Sequence, residues 1–255
     1  MGYEVRNNNW KKLNHIPKIF NQMKIAVTRL EEKSGGTSEL FSKYGHDAIL
    51  VPTMKTKIPD DPASLDELCR KVTSAKVDFL IFSSTMGVRY FFEQCGTVPD
   101  TTTIIAVGPR TQEAIVDKGF NCETITTFSS DHFASHLGSR IRGRTVGIVR
   151  PDIPNPALVE SLTASGARVQ QGVAYRLVPT GNDLRKILPD VDVVIFTSGK
   201  SFAQSGVSTG DAAGKTVIAI GPKTASMMRD HGIVPDITGN GTLEGCLKAL
   251  AGQSR

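Results

Sequence analysis

Short apolar runs along the chain alternate with longer stretches in which apolar residues return every three or four positions. The runs, rich in Val, Ile and Phe, predict strands at 24–29, 47–54, 78–83, 103–107, 122–125, 145–150, 168–178, 192–197, 215–220 and 233–237. The stretches between them predict helices at 36–45, 62–76, 86–94, 109–118, 131–141, 155–165, 199–206, 222–231 and 242–251. Asp61 and Pro62 make a helix start, as N-cap and first helical residue. Gly45, Gly119, Gly166 and Gly232 stand where helices should stop, because glycine takes the left-handed conformation that ends them. Strands apolar on both faces, alternating with helices, predict an α/β fold of doubly wound parallel sheets.

The pattern repeats. DFLIFSSTMGVRYFF (78–92) resembles DVVIFTSGKSFAQSG (192–206), and AVGPRTQEAIVDKGF (106–120) resembles AIGPKTASMMRDHGI (219–233). Phe82 pairs with Phe196 at an offset of 114 and Gly108 with Gly221 at 113, so the blocks keep their order and spacing. Residues 24–52 match 145–175 more loosely. A period this long does not suit a solenoid and predicts two similar α/β domains.

Apolar residues make up 39% of the 255, and no apolar run approaches the ~18 residues a membrane span needs. The N-terminus lacks the apolar core of a secretory signal, so a soluble, cytoplasmic protein is expected. The net charge is +5, of which residues 1–22 supply +3 through Arg6, Lys11, Lys12 and Lys18 against Glu4. With Asn7 to Asn9 and Pro17 breaking any period, residues 1–22 are expected to form a disordered extension before a fold starting at Met23. The remainder is close to neutral, which argues against a nucleic-acid partner. Cys69, Cys95, Cys122 and Cys246 form no C-x-x-C pair and have no His at ligand spacing. Buried free thiols are therefore expected, with neither a disulfide framework nor a zinc site.

In an open parallel sheet, ligands bind beyond the carboxyl ends of the strands. Those ends read Thr28-Arg29, Ser83-Ser84-Thr85, Gly108-Pro109-Arg110-Thr111, Arg150, Thr197-Ser198-Gly199-Lys200-Ser201 and Gly221-Pro222-Lys223-Thr224. Each offers hydroxyls, small residues or a base, and none places Asp or Glu in the first two positions of its turn. Helix N-terminal amides beside hydroxyls and cations suit an anion. The same turns also read as plain structure: Gly for the exit from the strand, Pro at the first helical position, Ser or Thr as cap. No Walker loop, G-x-G-x-x-G fingerprint or G-x-S-x-G elbow is present, which removes support from nucleotide and acyl-enzyme chemistry. His132 and His136 lie at i, i+4 without the Glu of a zinc helix and read as a solvated face. His46 and His231 flank helix ends and are expected to interact with the dipole. Tyr175, in the long strand at 168–178, reads equally as a packed ring or as a ligand-site aromatic.

Over residues 23–250 these features resemble the uroporphyrinogen-III synthase family. The likeness rests on the strand ending in Thr28-Arg29, on Pro52, and on the Phe-[Ser/Thr]-Ser turns at 82–84 and 196–198. It rests also on the Ala-Val-Gly-x-x-Thr turn at 106–111, the Ile-Gly-Pro-x-Thr-Ala turn at 220–225, and Val-x-Tyr at 173–175 with Pro179 beyond. Leu30, Met86 and Gln112 stand where the family often has Pro, Asn and Ala.

The resemblance implies two similar α/β domains, 23–50 plus 176–255 and 54–170, joined by a two-stranded antiparallel linker near 49–54 and 171–178. It implies a substrate held between them, the linear tetrapyrrole hydroxymethylbilane with its eight carboxylates. The reaction it implies is cyclisation with inversion of the last pyrrole ring and loss of water, without cofactor or metal. Tyr175 matches the family tyrosine given the proton-donor role, and Thr224 stands beside it as a catalytic candidate. Arg29, Ser83, Ser84, Thr85, Gly108, Arg110, Thr111, Arg150, Thr197, Ser198, Gly199, Lys200, Gly221, Pro222 and Lys223 are the substrate-binding candidates. A monomer with neither nucleic-acid nor membrane partner is expected, with hand-over of substrate from hydroxymethylbilane synthase. The alternative from another class is a non-catalytic two-domain protein closing on an anionic ligand.

Overall fold

Residues 22–125 and 130–253 are described in a computed structural model of the chain; all but the last residue of the expected extension lies outside the described residues. In chain order the strands are β1 (Lys24–Val27), β2 (Asp47–Leu50), β3 (Met54–Lys57), β4 (Phe79–Phe82), β5 (Thr103–Ala106), β6 (Glu123–Thr124), β7 (Thr145–Pro151), β8 (Arg168–Pro179), β9 (Val193–Phe196), β10 (Thr216–Ala219) and β11 (Ile237–Thr238). The helices are α1 (Thr37–Lys43), α2 (Ala63–Thr73), α3 (Thr85–Cys95), α4 (Pro109–Val116), α5 (Phe133–Leu137), α6 (Pro156–Ala164), α7 (Gly199–Ser205), α8 (Pro222–Asp230) and α9 (Leu243–Gln253).

The described chain divides into two units. The first comprises the residues up to Arg29, Lys33–Thr53, and those from Gly181 onward; the second comprises Leu30–Glu32 and Met54–Thr180. The first unit holds a parallel sheet in the order β11-β10-β9-β1-β2. The second holds the order β3-β8-β7-β4-β5-β6, parallel except for β3. Set β3 aside and the orders coincide, with β4, β5 and β6 answering to β9, β10 and β11, and β7 and β8 to β1 and β2. These are the equivalences the sequence repeat predicts.

Each sheet is apolar on both faces because helices cover both. In the first unit Ile25, Val27, Val193, Ile195 and Ile218 pack with Phe41 and Leu247. Ala26, Val194, Phe196, Val217 and Ala219 pack on the other face with Leu188, Phe202 and Met228. In the second unit Leu80, Phe82 and Ile104 meet Leu68, Phe91 and Ile115, while Phe79, Ile81, Ile105 and Ile148 meet Phe133, Leu158 and Leu162. Each fully buried Val, Leu, Ile, Phe or Met side chain among them contributes about 1.5–3 kcal/mol. Gly172 on β8 lets α2 approach, since a Cβ there would stand 2.8 Å from Leu68 Cδ2.

Several elements differ from expectation. The strand expected at 47–54 is two strands: β2 stops at Leu50, and Pro52, which has no N–H for a ladder, precedes a separate β3 that pairs antiparallel with the end of β8. The strand expected at 233–237 shrinks to β11, because Gly232 at φ 81° and Pro235 interrupt it. The helix expected at 131–141 becomes α5 between two 3-10 turns, broken at Gly138 with φ 55°. The helix start at Asp61 shifts by one residue: Asp61 Oδ1 accepts the Ala63 N–H at 2.9 Å. Cys69 and Cys95 are joined by a disulfide rather than free, because α2 and α3 lie side by side on one face of the sheet. Cys122 and Cys246 are free, and burial pushes the Cys246 thiol up to about 11. His46, expected to flank a helix end and interact with its dipole, stands just past α1 and is buried; its Nδ1 accepts the Met23 N–H at 3.4 Å, and burial draws its pKa down.

Candidate active site

β8 changes partner along its length, running parallel to β7 over its first part and antiparallel to β3 over its last. Between the two, Arg150 faces Val173 but Pro151 faces Tyr175, so Ala174 is an extra residue on β8. This bulge breaks the in-out alternation: Ala174 and Tyr175, though consecutive, both pack into the same core cluster. Tyr175 is only 6% exposed. Its hydroxyl lies 3.0 Å from Ser84 Oγ, and Ser84 is the N-cap of α3, accepting the Gly87 N–H at 3.0 Å. Burial raises the Tyr175 pKa, with Asp152 and Tyr90 adding to the rise and the Ser84 hydrogen bond opposing it. The phenol is therefore protonated at neutral pH.

Tyr90, the sixth residue of α3, lies against Tyr175 with ring centroids 5.8 Å apart and planes 17° apart. Its hydroxyl is 2.9 Å from Thr56 Oγ1 on β3, and Thr56 hydrogen-bonds Glu32 through both its hydroxyl and its N–H, the latter at 2.6 Å. Burial pushes the Glu32 pKa up, but the Thr56 bonds and the charge of Arg89 outweigh it, and the carboxyl sits below its ordinary range. The other oxygen, Glu32 Oε2, is buried with no hydrogen-bond partner among the described residues.

The other candidates of the second unit stand at the ends of β4, β5 and β7. Ser83 and Arg150 end the two strands at which the strand order reverses, the position where such sheets bind ligands. They line one cavity of ≈ 310 Å³ together with Asn155, Gln171 and an apolar wall of Ile148, Leu158 and Val159. Arg150 Nε donates to Gln171 Oε1 at 2.7 Å and one terminal nitrogen to the Pro151 carbonyl at 2.8 Å. Burial lowers its pKa and Asp152 partly opposes this. Thr85 is half-buried as the first residue of α3. Gly108, Arg110 and Thr111 are N-cap, second and third residues of α4; Arg110 is exposed and Thr111 buried.

In the first unit the ends of β1 and β9 are laced together. Thr197 Oγ1 donates to the Thr28 carbonyl at 2.9 Å, and Thr28 Oγ1 accepts the Thr197 N–H at 3.3 Å. Arg29 Nε donates to the Lys33 carbonyl. Ser198 caps α7, accepting the Ser201 N–H at 3.0 Å, and Lys200 is exposed. A Cβ at Gly199 would meet Met227 Sδ at 2.5 Å, so α8 packs on the start of α7. Gly221, Pro222, Lys223 and Thr224 repeat the α4 start at α8, with Thr224 buried and Lys223 exposed. Thr111 and Thr224, equivalent in the repeat, are both buried residues whose hydroxyls bond no other described group.

The structure thus brings Ser84 to Tyr175, Ser83 to Arg150, and Thr197 to Thr28. It leaves Arg110, Thr111 and Lys200 on the helix starts where the sequence put them. Sequence reasoning missed Tyr90, Thr56, Glu32 and Gln171. Tyr90 sits in a Tyr-Phe-Phe run that reads as core, and its repeat equivalent is Gln204. The only signal was that one half carries an aromatic where the other does not. Among the described residues no group of His, Cys, Asp and Glu could hold a metal ion, and no helix is long and apolar enough to cross a membrane. His136 instead pairs with Glu123, which Arg140 grips with both terminal nitrogens.

A family model described as uroporphyrinogen-III synthase HemD matches residues 36–248. A protein of Methanothermobacter thermautotrophicus, provisionally named uroporphyrinogen-III synthase, is 28% identical over 251 residues, covering 89% of this chain and 97% of its own length. A mutant uroporphyrinogen III synthase of Thermus thermophilus superposes with a TM-score of 0.63 at 18% identity, over 91% of this chain and 98% of that one. The uroporphyrinogen-III synthetase of Helicobacter pylori gives 0.62 at 17% identity, over 91% and 100%. At these identities the two structures speak for the two-domain α/β fold.

Proposed function

The chain belongs to the uroporphyrinogen-III synthase family, and we propose that it performs that family's reaction, cyclising hydroxymethylbilane with inversion of the last pyrrole ring and loss of one water. The observation that carries this to named atoms is the buried, protonated Tyr175 phenol held on Ser84. In this reading Tyr175 donates its proton to the terminal hydroxyl as that group leaves, and the electron-rich pyrrole behind it supplies the electron pair. Only partial proton transfer is needed, so a phenol of raised pKa suffices. The resulting azafulvene is attacked by the substituted carbon of the last ring to give a spiro intermediate. That intermediate fragments at the bond to the original bridging carbon, and the bridge recloses at the free α-carbon on the other side of the ring nitrogen. The proton then lost from the ring carbon returns to the tyrosinate, so Tyr175 ends as it began. Ser84, by donating to the phenolate oxygen, stabilises the charged form between the two transfers.

The carboxylates are the remaining task. Arg150, Ser83 and the α3 and α4 starts in the second unit are proposed to bind some of them. Arg29, Thr197, Ser198, Gly199, Lys200 and the Gly221–Thr224 turn are proposed to bind others in the first. Thr224, buried with its hydroxyl unengaged, is proposed to donate to developing charge near the reacting ring. Everything here is positioning and electrostatics, which needs neither a nucleophile nor a bound cofactor. We further propose a cytoplasmic monomer receiving its substrate from hydroxymethylbilane synthase, the instability of the bilane being the chemical reason for hand-over. The Cys69–Cys95 disulfide is the observation that stands against a reducing compartment. The non-catalytic anion-binding alternative has no support among the relatives.

The test is incubation with hydroxymethylbilane, followed by oxidation and separation of the porphyrin isomers. The type III isomer is expected, produced without added metal or cofactor and undiminished by chelator. Type I alone, at the spontaneous rate, would overturn the assignment.

A further inference from the structure

The two stacked tyrosines are chemically alike, yet their hydroxyls meet partners of different capacity. Glu32 is ionised, so it can only accept. Thr56 has one hydroxyl proton, and it goes to Glu32. In the contact between Tyr90 and Thr56, 2.9 Å long, Tyr90 must then be the donor. The Tyr90 proton is committed away from any substrate, and the ring is fixed at its far end by a chain that terminates in a charge. Tyr175 is placed differently. Ser84 Oγ already accepts the Gly87 N–H and keeps its own proton, which it can give to the Tyr175 oxygen. That leaves the Tyr175 proton available.

We propose that Tyr90 is a positioning residue for Tyr175 and acts through its ring. The Glu32–Thr56–Tyr90 chain holds the Tyr90 ring, and that ring holds the plane of Tyr175 so that its hydroxyl stays aimed at the substrate. The proposal rests on the reading of Tyr175 as proton donor. The bulge at Ala174 turns Tyr175, still in register with Pro151, onto the face where α3 presents Tyr90 and Ser84, so the Tyr90 ring is the neighbour against which its plane rests. A general acid displaced by about 1 Å loses on the order of 100-fold in rate. The Arg89 guanidinium, 5.6 Å from the Tyr90 ring centre and bonded to Glu93 at 2.8 Å, braces the ring further.

Single-turnover and steady-state kinetics with hydroxymethylbilane test this on Tyr90→Leu, Tyr90→Phe, Tyr175→Phe and the double variant Tyr90→Leu/Tyr175→Phe. Tyr90→Leu should lower kcat at least about tenfold with KM within about twofold, the pattern of a lost transition-state interaction. Tyr90→Phe, which keeps the ring, should recover all but about two- to threefold of that loss. The double variant should be no slower than Tyr175→Phe, because Tyr90 acts only through Tyr175. Absorbance titration of tyrosine, with Tyr175→Phe as the subtracted reference, should show the Tyr175 phenol ionising at lower pH in Tyr90→Leu as water reaches it. Tyr90→Phe as slow as Tyr90→Leu would assign the role to the hydroxyl and overturn the proposal. So would a double variant slower than Tyr175→Phe by the full Tyr90→Leu factor. Wild-type kcat in Tyr90→Leu removes the proposal alone, whereas wild-type kcat in Tyr175→Phe removes the proton-donor reading beneath it. Should Tyr90→Leu fail to fold, Thr56→Val releases the Tyr90 hydroxyl while keeping both rings; a fall in kcat of about two- to threefold at constant KM is expected, as for Tyr90→Phe, and an unchanged kcat would overturn the proposal.

Discussion

Cys69 on α2 and Cys95 at the end of α3 are bonded, with their Cα atoms 5.2 Å apart at a sequence separation of 26. The bond staples the two helices that, with Leu65, Leu68, Phe91 and Phe92, cover one face of the second unit's sheet. Closing a loop of this length restricts the unfolded chain by about 3 kcal/mol. Reduction should therefore lower the melting temperature by roughly 10 °C. Calorimetry with and without reductant reads this, and Cys69→Ala/Cys95→Ala should match the reduced protein. Four free thiols in the untreated protein would show that the bond does not form.

Ser84 has two tasks, capping α3 and meeting the Tyr175 hydroxyl, and Ser84→Ala removes both. The cap should cost about 1 kcal/mol of stability. The rate should fall as well, but by less than the roughly 10- to 1000-fold expected for Tyr175→Phe, because the phenol keeps its proton. Urea unfolding and single-turnover rates on the same samples separate the two losses. A Ser84→Ala rate below that of Tyr175→Phe would move the acid role toward Ser84.

Thr111 and Thr224 offer a cleaner comparison, since neither hydroxyl bonds within the described fold. Thr111→Ala and Thr224→Ala should leave the melting temperature nearly unchanged. Each should cost about 1–2 kcal/mol of substrate or transition-state binding, as for a hydrogen bond to a charged group. Thr224→Ala is expected to act mainly on kcat and Thr111→Ala mainly on KM. A dead Thr224→Ala beside a fully active Tyr175→Phe would transfer the proton-donor role to the Gly221–Thr224 turn.

His46 gives a pH dependence. Burial holds its folded pKa below the ordinary 6.5, so the unfolded chain binds the proton first as pH falls. Stability from this group is complete above 6.5 and declines as pH drops from there toward the folded pKa. Melting temperatures between pH 8 and pH 5 should fall in the wild type and fall less in His46→Asn. The carboxylates with lowered pKa, Glu32 and Glu123 among them, act only at lower pH, in the range where carboxyls take up protons. A wild-type curve flat down to pH 5 would mean that His46 protonates without penalty.

The alternation of apolar strands and amphipathic helices, read locally, located the elements of both sheets. The offset of Phe82 and Phe196 already carried the likeness of the two sheet orders. The strand-end turns were legible too, because Gly-Pro-[Arg/Lys]-Thr and [Ser/Thr]-Ser signals are local and Ser84 and Ser198 do cap helices where the sequence put them. Tertiary structure decided what depends on chain segments distant in sequence. Cys69 and Cys95 meet only because α2 and α3 share a sheet face. The split of residues 47–57 into β2 and β3 depends on β8 arriving as an antiparallel partner. The Ala174 bulge exists only in the register between β7 and β8, and it alone turns Tyr175 onto the face that holds Ser84 and Tyr90. Periodicity records which residues share a face of their own element. Which proton a tyrosine can give away depends on partners 34 to 91 residues distant, and no local pattern encodes them.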